Sequence, residues 1–299
     1  MQELGKVRFR ELDERCAEVG GVPESISVIV STYNRPNALD AVLRGLAAQA
    51  DEDFEIIVAD DGSTSETAEL IAAWRPRVAQ EVRHVWHPDE GFRLAAIRNR
   101  AIEATHCPYL IFLDGDCIPP RHFVANHRQL AEPGWFVTGS RILLKENLTR
   151  DILQKHIRIE DWGFSHWLID RLRGRIDRML PTLNLPTDGS WRRRSPRRIT
   201  GARGCNIAFW RKDLLRVGGF DAAFEGWGYE DTDLIIRLMR CGIFHKSGRF
   251  AVTVFHLWHK PDPSAPGGNQ RLIRELESSS RIAAMRGIGV RSDGEGPYT

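Results

Sequence analysis

The chain has 299 residues, 42% of them hydrophobic and 27% charged, a composition that supports one large globular unit or two modest ones with a real core. Forty-two Lys and Arg against 40 Asp and Glu leave a formal net charge of +2, which argues against a surface built to hold nucleic acid. No apolar run reaches the roughly 18 residues of a membrane span, and the charged start MQELGKVRFRELDERC lacks the apolar core of a secretory leader, so the expected compartment is the cytoplasm.

In chain order, ISVIV at 26–30 is a β-branched run that ends at STYNRP. Pro36 suits the first turn of a helix, and ALDAVLRGLAAQ carries the helical period. FEIIVA at 54–59 reads as the next buried strand, closed by DDGST, with Thr64 or Ser65 placed to cap a helix through Trp74. VRHVW at 82–86 is a third strand, FRLAAIRNRAIEAT a helix, and YLIFLD at 109–114 a fourth, wholly apolar strand running into GDCIPP. Strands alternating with helices predict an α/β fold with a mostly parallel sheet covered on both faces, whose ligands gather at the carboxyl ends of the strands.

Residues 141–200 break this pattern and carry 14 Lys and Arg against 7 Asp and Glu, a local charge of +7. Within them HWLIDRLRGRIDRML sets Leu168, Leu172, Ile176 and Met179 at helical spacing, with Arg171, Arg175 and Arg178 elsewhere on the helix. Such a basic amphipathic helix either covers a core or lies on an anionic membrane. GCNIAFW then reads as a strand, GWGYED as a glycine-rich loop opening a helix at 232–241, RFAVTVFHLWH as a strand, and about 270–286 as a terminal helix before a frayed tail. The five cysteines are widely spaced without any C-x-x-C, so packed, reduced thiols are expected rather than a zinc knuckle or a disulfide framework.

The residues able to carry chemistry cluster after the strands. Asp114-Gly115-Asp116 offers two carboxylates that suit a hard divalent cation such as Mg²⁺ or Mn²⁺, and an Asp-Gly turn is the plain alternative. Asp60, favoured over Asp61, can accept from a nucleobase N–H or a ribose hydroxyl, and Arg93 and Arg98 can face a diphosphate. Glu230-Asp231 either caps its helix or supplies a general base with a carboxylate to orient an acceptor, and Trp227 offers an apolar platform for a sugar ring. His256 after AVTVF is a packed residue or a ligand better suited to Mn²⁺ than to Mg²⁺. The spacings His84-x-x-His87 and His256-x-x-His259 place their partners on opposite faces of a strand, so neither is expected to form a two-histidine site. No G-x-G-x-x-G after the first strand, no P-loop and no G-x-S-x-G occur, which weakens dinucleotide oxidoreductase, NTPase and hydrolase readings.

Together SVIVSTYNRP, EIIVADDGS, FRLAAIRNRAI and LIFLDGD resemble the family 2 glycosyltransferases of GT-A fold. GCNIAFWRKDLLRVGGFDAAFEGWGYEDTDLIIRL is similar to the C-terminal segment of β-1,4-galactosyltransferases and bacterial chondroitin-polymerase-like enzymes. The resemblance implies an extension at 1–24, a nucleotide-sugar half at 25–140, the basic helical insert at 141–200, an acceptor half at 201–260 and a terminal helix and tail at 261–299. It implies that Thr32, Tyr33, Arg35 and Asp60 hold the nucleotide, with Asp114 near the ribose and Asp116 and His256 on the metal. Asp231 matches the catalytic base and Glu230 the acceptor-orienting carboxylate, while Arg93 and Arg98 have weaker support as donor contacts.

The implied activity is metal-dependent, inverting transfer from a nucleoside-diphosphate sugar, a UDP-sugar by family habit, to a hydroxyl of a glycan or lipid-linked glycan in cell-surface polysaccharide or lipopolysaccharide synthesis. Peripheral contact with the inner membrane through 141–200 is compatible with this. A metal-dependent nucleotidyltransferase is the alternative enzyme, though it needs a third carboxylate on the metal. A non-catalytic carbohydrate- or membrane-binding module is the alternative outside enzymes, and such a module has no need of a base.

Overall fold

The computed structural model describes residues 21–197, 204–260 and 267–289. The β-branched run forms β1 (Ile26–Thr32), and all seven of its residues are buried. Pro36 opens α1 (Pro36–Ala47), where its fixed φ costs nothing and its missing N–H is not needed. β2 (Phe54–Asp60), α2 (Ser65–Trp74), β3 (Val82–Trp86), α3 (Leu94–Glu103) and β4 (Tyr109–Asp114) follow within a residue or two of the expected bounds. Thr64 occupies the position before α2 but its side chain makes no capping bond.

Beyond β4 come β5 (Cys117–Ile118), α4 (Phe123–Leu130), β6 (Trp135–Thr138), β7 (Ser140–Leu143), α5 (Glu146–Lys155) and α6 (Phe164–Leu172). The second half supplies β8 (Asn206–Trp210), α7 (Arg211–Arg216), α8 (Glu230–Arg240), β9 (Phe244–Ser247), β10 (Thr253–His256) and α9 (Gly267–Glu277). A seven-stranded sheet runs in the order β3-β2-β1-β4-β8-β6-β9. It is mostly parallel, and only β8 runs against both of its neighbours. A smaller sheet, β5-β10-β7, sits apart from it. This is the expected α/β architecture.

Both faces of the large sheet are covered, so its strands lack the apolar-polar alternation of a half-exposed sheet. Val28 and Val30 point into one apolar layer with Leu39, Val42 and Leu46 of α1, while Ile29 points into the other with Ile97, Phe112, Phe209 and Leu234. The registers Thr32↔Asp60 and Ser31↔Asp114 align the carboxyl ends of β1, β2 and β4 at one edge. β8 lies beside β4 and brings Gly204 and Cys205 to that edge, where the Asp114 N–H meets the Cys205 carbonyl.

Several expectations need correction. The helix expected through HWLIDRLRGRIDRML stops at Leu172, because Gly174 takes φ +67 and the Gly174 and Arg175 N–H groups close onto the Arg171 and Asp170 carbonyls. Ile176 therefore leaves the stripe, pairs with Leu144 and is buried, whereas Leu168 and Leu172 are exposed and do not cover a core. Arg192, in the stretch WRRRSPRR, is buried and donates to the carbonyls of Leu185, Pro186, Ser247 and Arg249, so it ties loops together.

α8 begins at Glu230, which puts the acidic pair inside its first turn. The last strand is only Thr253–His256 and the last helix ends at Glu277. The four described cysteines are free thiols, three of them buried, while Cys16 and the tail at 290–299 lie outside the described residues. Among the described residues no helix is long and apolar enough to cross a membrane.

Candidate active site

The turns after β1 and β2 are laced together. Asn34, at φ +47, donates its N–H to Ser63 Oγ and accepts from the Thr64 N–H on its side-chain oxygen. Thr32 is buried, and its carbonyl accepts from the Asp61 N–H. Gly62 takes φ +95, and a Cβ there would lie 2.6 Å from Asp89 Cα, so only glycine lets the loop after β3 close over this turn. Asp89 in turn accepts from the hydroxyl of the part-exposed Tyr33.

Asp60 and Asp61 are both buried and both paired. Asp60 meets His84 Nε2 at 2.9 Å and accepts from the Ser63 N–H, while Asp61 meets His87 Nε2 at 2.6 Å and accepts from the Arg93 N–H. The two histidines therefore serve different carboxylates, in keeping with the strand argument against a shared ligand pair. The Arg93 side chain folds back on Glu90 and the Pro88 carbonyl, so its backbone enters this cluster but its guanidinium does not.

Arg98 is not placed as the sequence suggested. It is 1% exposed and lies beneath the strand edge, not in the open cleft. Its guanidinium reaches Asp114 at 3.0 Å, Ser31 Oγ at 3.1 Å, the Gly204 carbonyl at 3.2 Å and Glu230 at 3.5 Å, over the rings of Phe112 and Phe220. It thus fastens the end of β4 to the start of α8. Gly204 completes the link, since its N–H donates to Asp231 Oδ2 at 2.9 Å and a Cβ on it would press on Arg98.

One buried cation serves several carboxylates here, and their proton affinities respond. Burial, with Asp116 adding and Arg98 opposing, pushes Asp114 up to about 6. Burial and the adjacent Asp231 push Glu230 up to about 7, again against Arg98. Ahead of the pair, Gly226, Gly228 and Tyr229 all have positive φ, and the Asn269 side chain holds the Gly228 carbonyl at 2.9 Å. Trp227 stands 62% exposed on this loop.

The second cluster is built by the small sheet. β5 pairs antiparallel with β10 so that His256 faces Cys117, and the Leu257 N–H donates to the Asp116 carbonyl. His256 Nε2 then lies 3.7 Å and His259 Nε2 3.4 Å from the Asp116 carboxylate. The ligand atoms of Asp116, His256 and His259 all fall within 4.8 Å of one another. One carboxylate oxygen and two imidazole nitrogens form a mixed O/N donor set that fits Mn²⁺. Burial lowers the His256 pKa, which favours the neutral ring a metal needs.

His259 is the residue that strand periodicity dismissed. β10 ends at His256, so alternation of faces does not govern the next three residues and the chain turns His259 back toward Asp116. The H-x-x-H spacing was the signal. Arg141 on β7 was also missed, and its charge bears on both Asp114 and His256. Arg35, expected at the nucleotide, instead holds Asp116 Oδ2 at 2.6 Å.

Comparison with known proteins gives the family and the fold. The family Glycosyl transferase family 2 matches residues 27–199, and the family described as N-terminal domain of galactosyltransferase matches residues 191–260. The chain is 31% identical over 236 residues to validoxylamine A glucosyltransferase of Streptomyces hygroscopicus subsp. limoneus, covering 73% of this chain and 48% of that one. It is 30% identical to the hyaluronan synthase of Pasteurella multocida, covering 93% of this chain and 29% of the synthase. The chain therefore spans about half the length of the first relative and less of the second.

Among solved structures, Staphylococcus aureus TarS 1–349 in complex with UDP aligns with TM-score 0.56 at 13% identity, over 84% of this chain and 64% of that one. The mannosyltransferase PcManGT from Pyrobaculum calidifontis, in complex with GDP-Man and Mn²⁺, aligns with TM-score 0.51 at 20% identity, over 85% and 62%. These likenesses show the fold, that of GT-A glycosyltransferases.

Proposed function

The chain belongs to glycosyl transferase family 2, and from that membership we propose that it transfers a hexosyl group from a nucleoside-diphosphate sugar, a UDP-sugar first, to a hydroxyl of a glycan acceptor. The observation that carries this reading is convergence. The end of β4 with the turn after it, the first turn of α8, and the end of β10 with the loop after it bring Asp114, Asp116, Glu230, Asp231, His256 and His259 to one edge of the fold. Validoxylamine A glucosyltransferase and hyaluronan synthase are relatives whose names describe sugar transfer, which supports the same class here.

Asp116, His256 and His259 would hold a divalent cation, Mn²⁺ by their donor chemistry, which would neutralise charge on the departing diphosphate. Thr32, Tyr33 and the Asp60 turn would bound the nucleotide, and Arg141 would add positive charge beside the diphosphate. Asp231 would take the proton from the acceptor hydroxyl as that oxygen attacks the anomeric carbon from the face opposite the diphosphate. One displacement inverts the configuration, so an α-linked donor gives a β-linked product. Glu230 would accept a hydrogen bond from another acceptor hydroxyl, and Trp227 would lie against the face of its ring. A nucleotidyltransferase would want a further carboxylate where His256 and His259 stand.

Thermal unfolding with a panel of nucleoside-diphosphate sugars, with Mn²⁺ and with chelator, tests the reading. A donor at 100 times its Kd stabilises by about 2.7 kcal/mol. A shift that needs both one donor and the metal is the expected result. Release of pyrophosphate from a nucleoside triphosphate, with no shift from any donor, would favour the nucleotidyltransferase.

A further inference from the structure

α6 is turned inside out. It buries only Trp167 and Asp170, while Phe164, Leu168, Ile169 and Leu172 are 51%, 39%, 46% and 79% exposed. At 100° per residue these four span an arc of about 140° on one side of the helix. Arg171 and Arg173 fall on the two borders of that arc, and neither makes an ion pair among the described residues. The short 3₁₀ turn Leu180–Leu183 touches α6 and adds two more exposed leucines at its ends, 60% and 44% open. Soluble surfaces scatter such side chains singly; a contiguous set marks a place where something binds.

We propose that α6 and the Leu180–Leu183 turn form a docking surface for an anionic lipid bilayer. The apolar arc would enter the boundary between headgroups and acyl chains, with the bordering arginines among the lipid phosphates. The local charge is the argument for this occupant. Residues 164–183 carry Arg171, Arg173, Arg175 and Arg178 against Asp170 and Asp177, and Asp170, the acidic residue of α6, is buried against Arg175. A second copy docked on the same face by two-fold symmetry would set these arginines against their own equivalents. A surface bearing phosphates has the complementary sign.

The helix is tied to the site. The one aromatic ring it buries, Trp167, stacks on Phe255 at 4.2 Å, and Phe255 precedes His256 on β10. Docking would therefore hold the cleft near the headgroup plane and favour acceptors whose sugar is attached to a lipid. The acceptor class rests on the transferase reading, but the docking does not.

The test uses the full chain and vesicles of phosphatidylcholine with and without phosphatidylglycerol, sedimented at low and high salt. The expected result is partition onto the anionic vesicles that weakens with salt. Leu168→Ser with Leu172→Ser should lower that partition at least tenfold. Arg171→Gln with Arg173→Gln should lower it about thirtyfold, near fivefold per charge, with no effect on neutral vesicles. All four side chains are exposed, so the variants keep the fold, and the donor-dependent thermal shift on each checks the transferase site separately. Equal recovery from buffer with and without phosphatidylglycerol overturns the proposal. So does a dimer in solution that Leu172→Ser dissolves, since the face would then belong to a second copy.

Discussion

Two adjacent acidic pairs stand at the ends of the central elements, and they are built differently. Asp60 and Asp61 each have a histidine of their own and a backbone N–H, so the turn after β2 is closed on itself. Glu230 and Asp231 share their surroundings with Asp114, and the cation that reaches both Glu230 and Asp114 is the single guanidinium of Arg98. The first pair is a finished structural knot. The second holds more negative charge than its neighbours compensate: burial raises the Asp61 pKa too, against His87 and Arg93, but at Glu230 and Asp114 neighbouring carboxylates push in the same direction as burial. A buried surplus of one sign costs stability, and it persists where a reaction uses it.

The largest effect should come from the second pair. Asp231→Asn keeps the shape and removes the proton acceptor, so initial rates of transfer should fall about 10²–10⁴-fold. The metal-dependent thermal shift with donor should survive, and its loss in step with the rate would sink the assignment of Asp231 as base. Next in size is Arg98→Leu, which leaves Asp114 and Glu230 without their buried cation. Urea unfolding should show a loss of about 3–5 kcal/mol. Arg93→Leu, whose side chain folds back on Glu90 and the Pro88 carbonyl, should cost only about 1 kcal/mol. Equal costs for the two would mean that Arg98 carries no special charge load.

This contrast also marks what a single sequence can show. The parallel sheet, the acidic motifs and their edge were legible, because runs such as ISVIV and YLIFLD are apolar on both faces and end in polar turns. Arg98 was not, since a helical period shows which face a residue is on but not that β8 will roof it with Gly204. His259 was lost because a rule for strands was carried three residues past the end of one. The insert misled in the same way, as Gly174 stops the helical pattern midway and α6 buries Trp167 and Asp170 in place of its leucines.

A smaller effect separates the pairs by sign. The pKa of Glu230 is raised in the fold, so the folded state holds its proton more tightly than the unfolded chain does between pH 4.5 and about 7. Its contribution to stability is full below 4.5 and is lost as pH rises through 7. Glu230→Gln removes that penalty and should stabilise the protein at pH 8 on the order of 1–3 kcal/mol while impairing transfer. Asp60→Ala should do the opposite, costing about 1–3 kcal/mol by orphaning His84 and the Ser63 N–H. Urea titrations at two pH values decide between these signs, and a Glu230→Gln variant less stable than the parent at pH 8 would place Glu230 with the structural pair.

The glycines beside the two pairs give the finest comparison. Gly62, after Asp60-Asp61, and Gly226, before Glu230-Asp231, both have positive φ, at +95 and +75. Around Gly62 the Asp89 backbone stands where a Cβ would go, whereas nothing lies within 4 Å of the equivalent point at Gly226. Gly62→Ala must therefore displace the loop after β3 and should cost about 2–3 kcal/mol from overpacking and backbone strain together. Gly226→Ala meets no neighbour and bears the left-handed conformation alone, about 1 kcal/mol. Its N–H bond to the Phe92 carbonyl requires no side chain and should persist. If that conformation is needed to present Trp227 to an acceptor, Gly226→Ala should raise the acceptor KM more than it lowers the melting temperature. A change in melting temperature alone would make the loop a structural turn like its counterpart after β2.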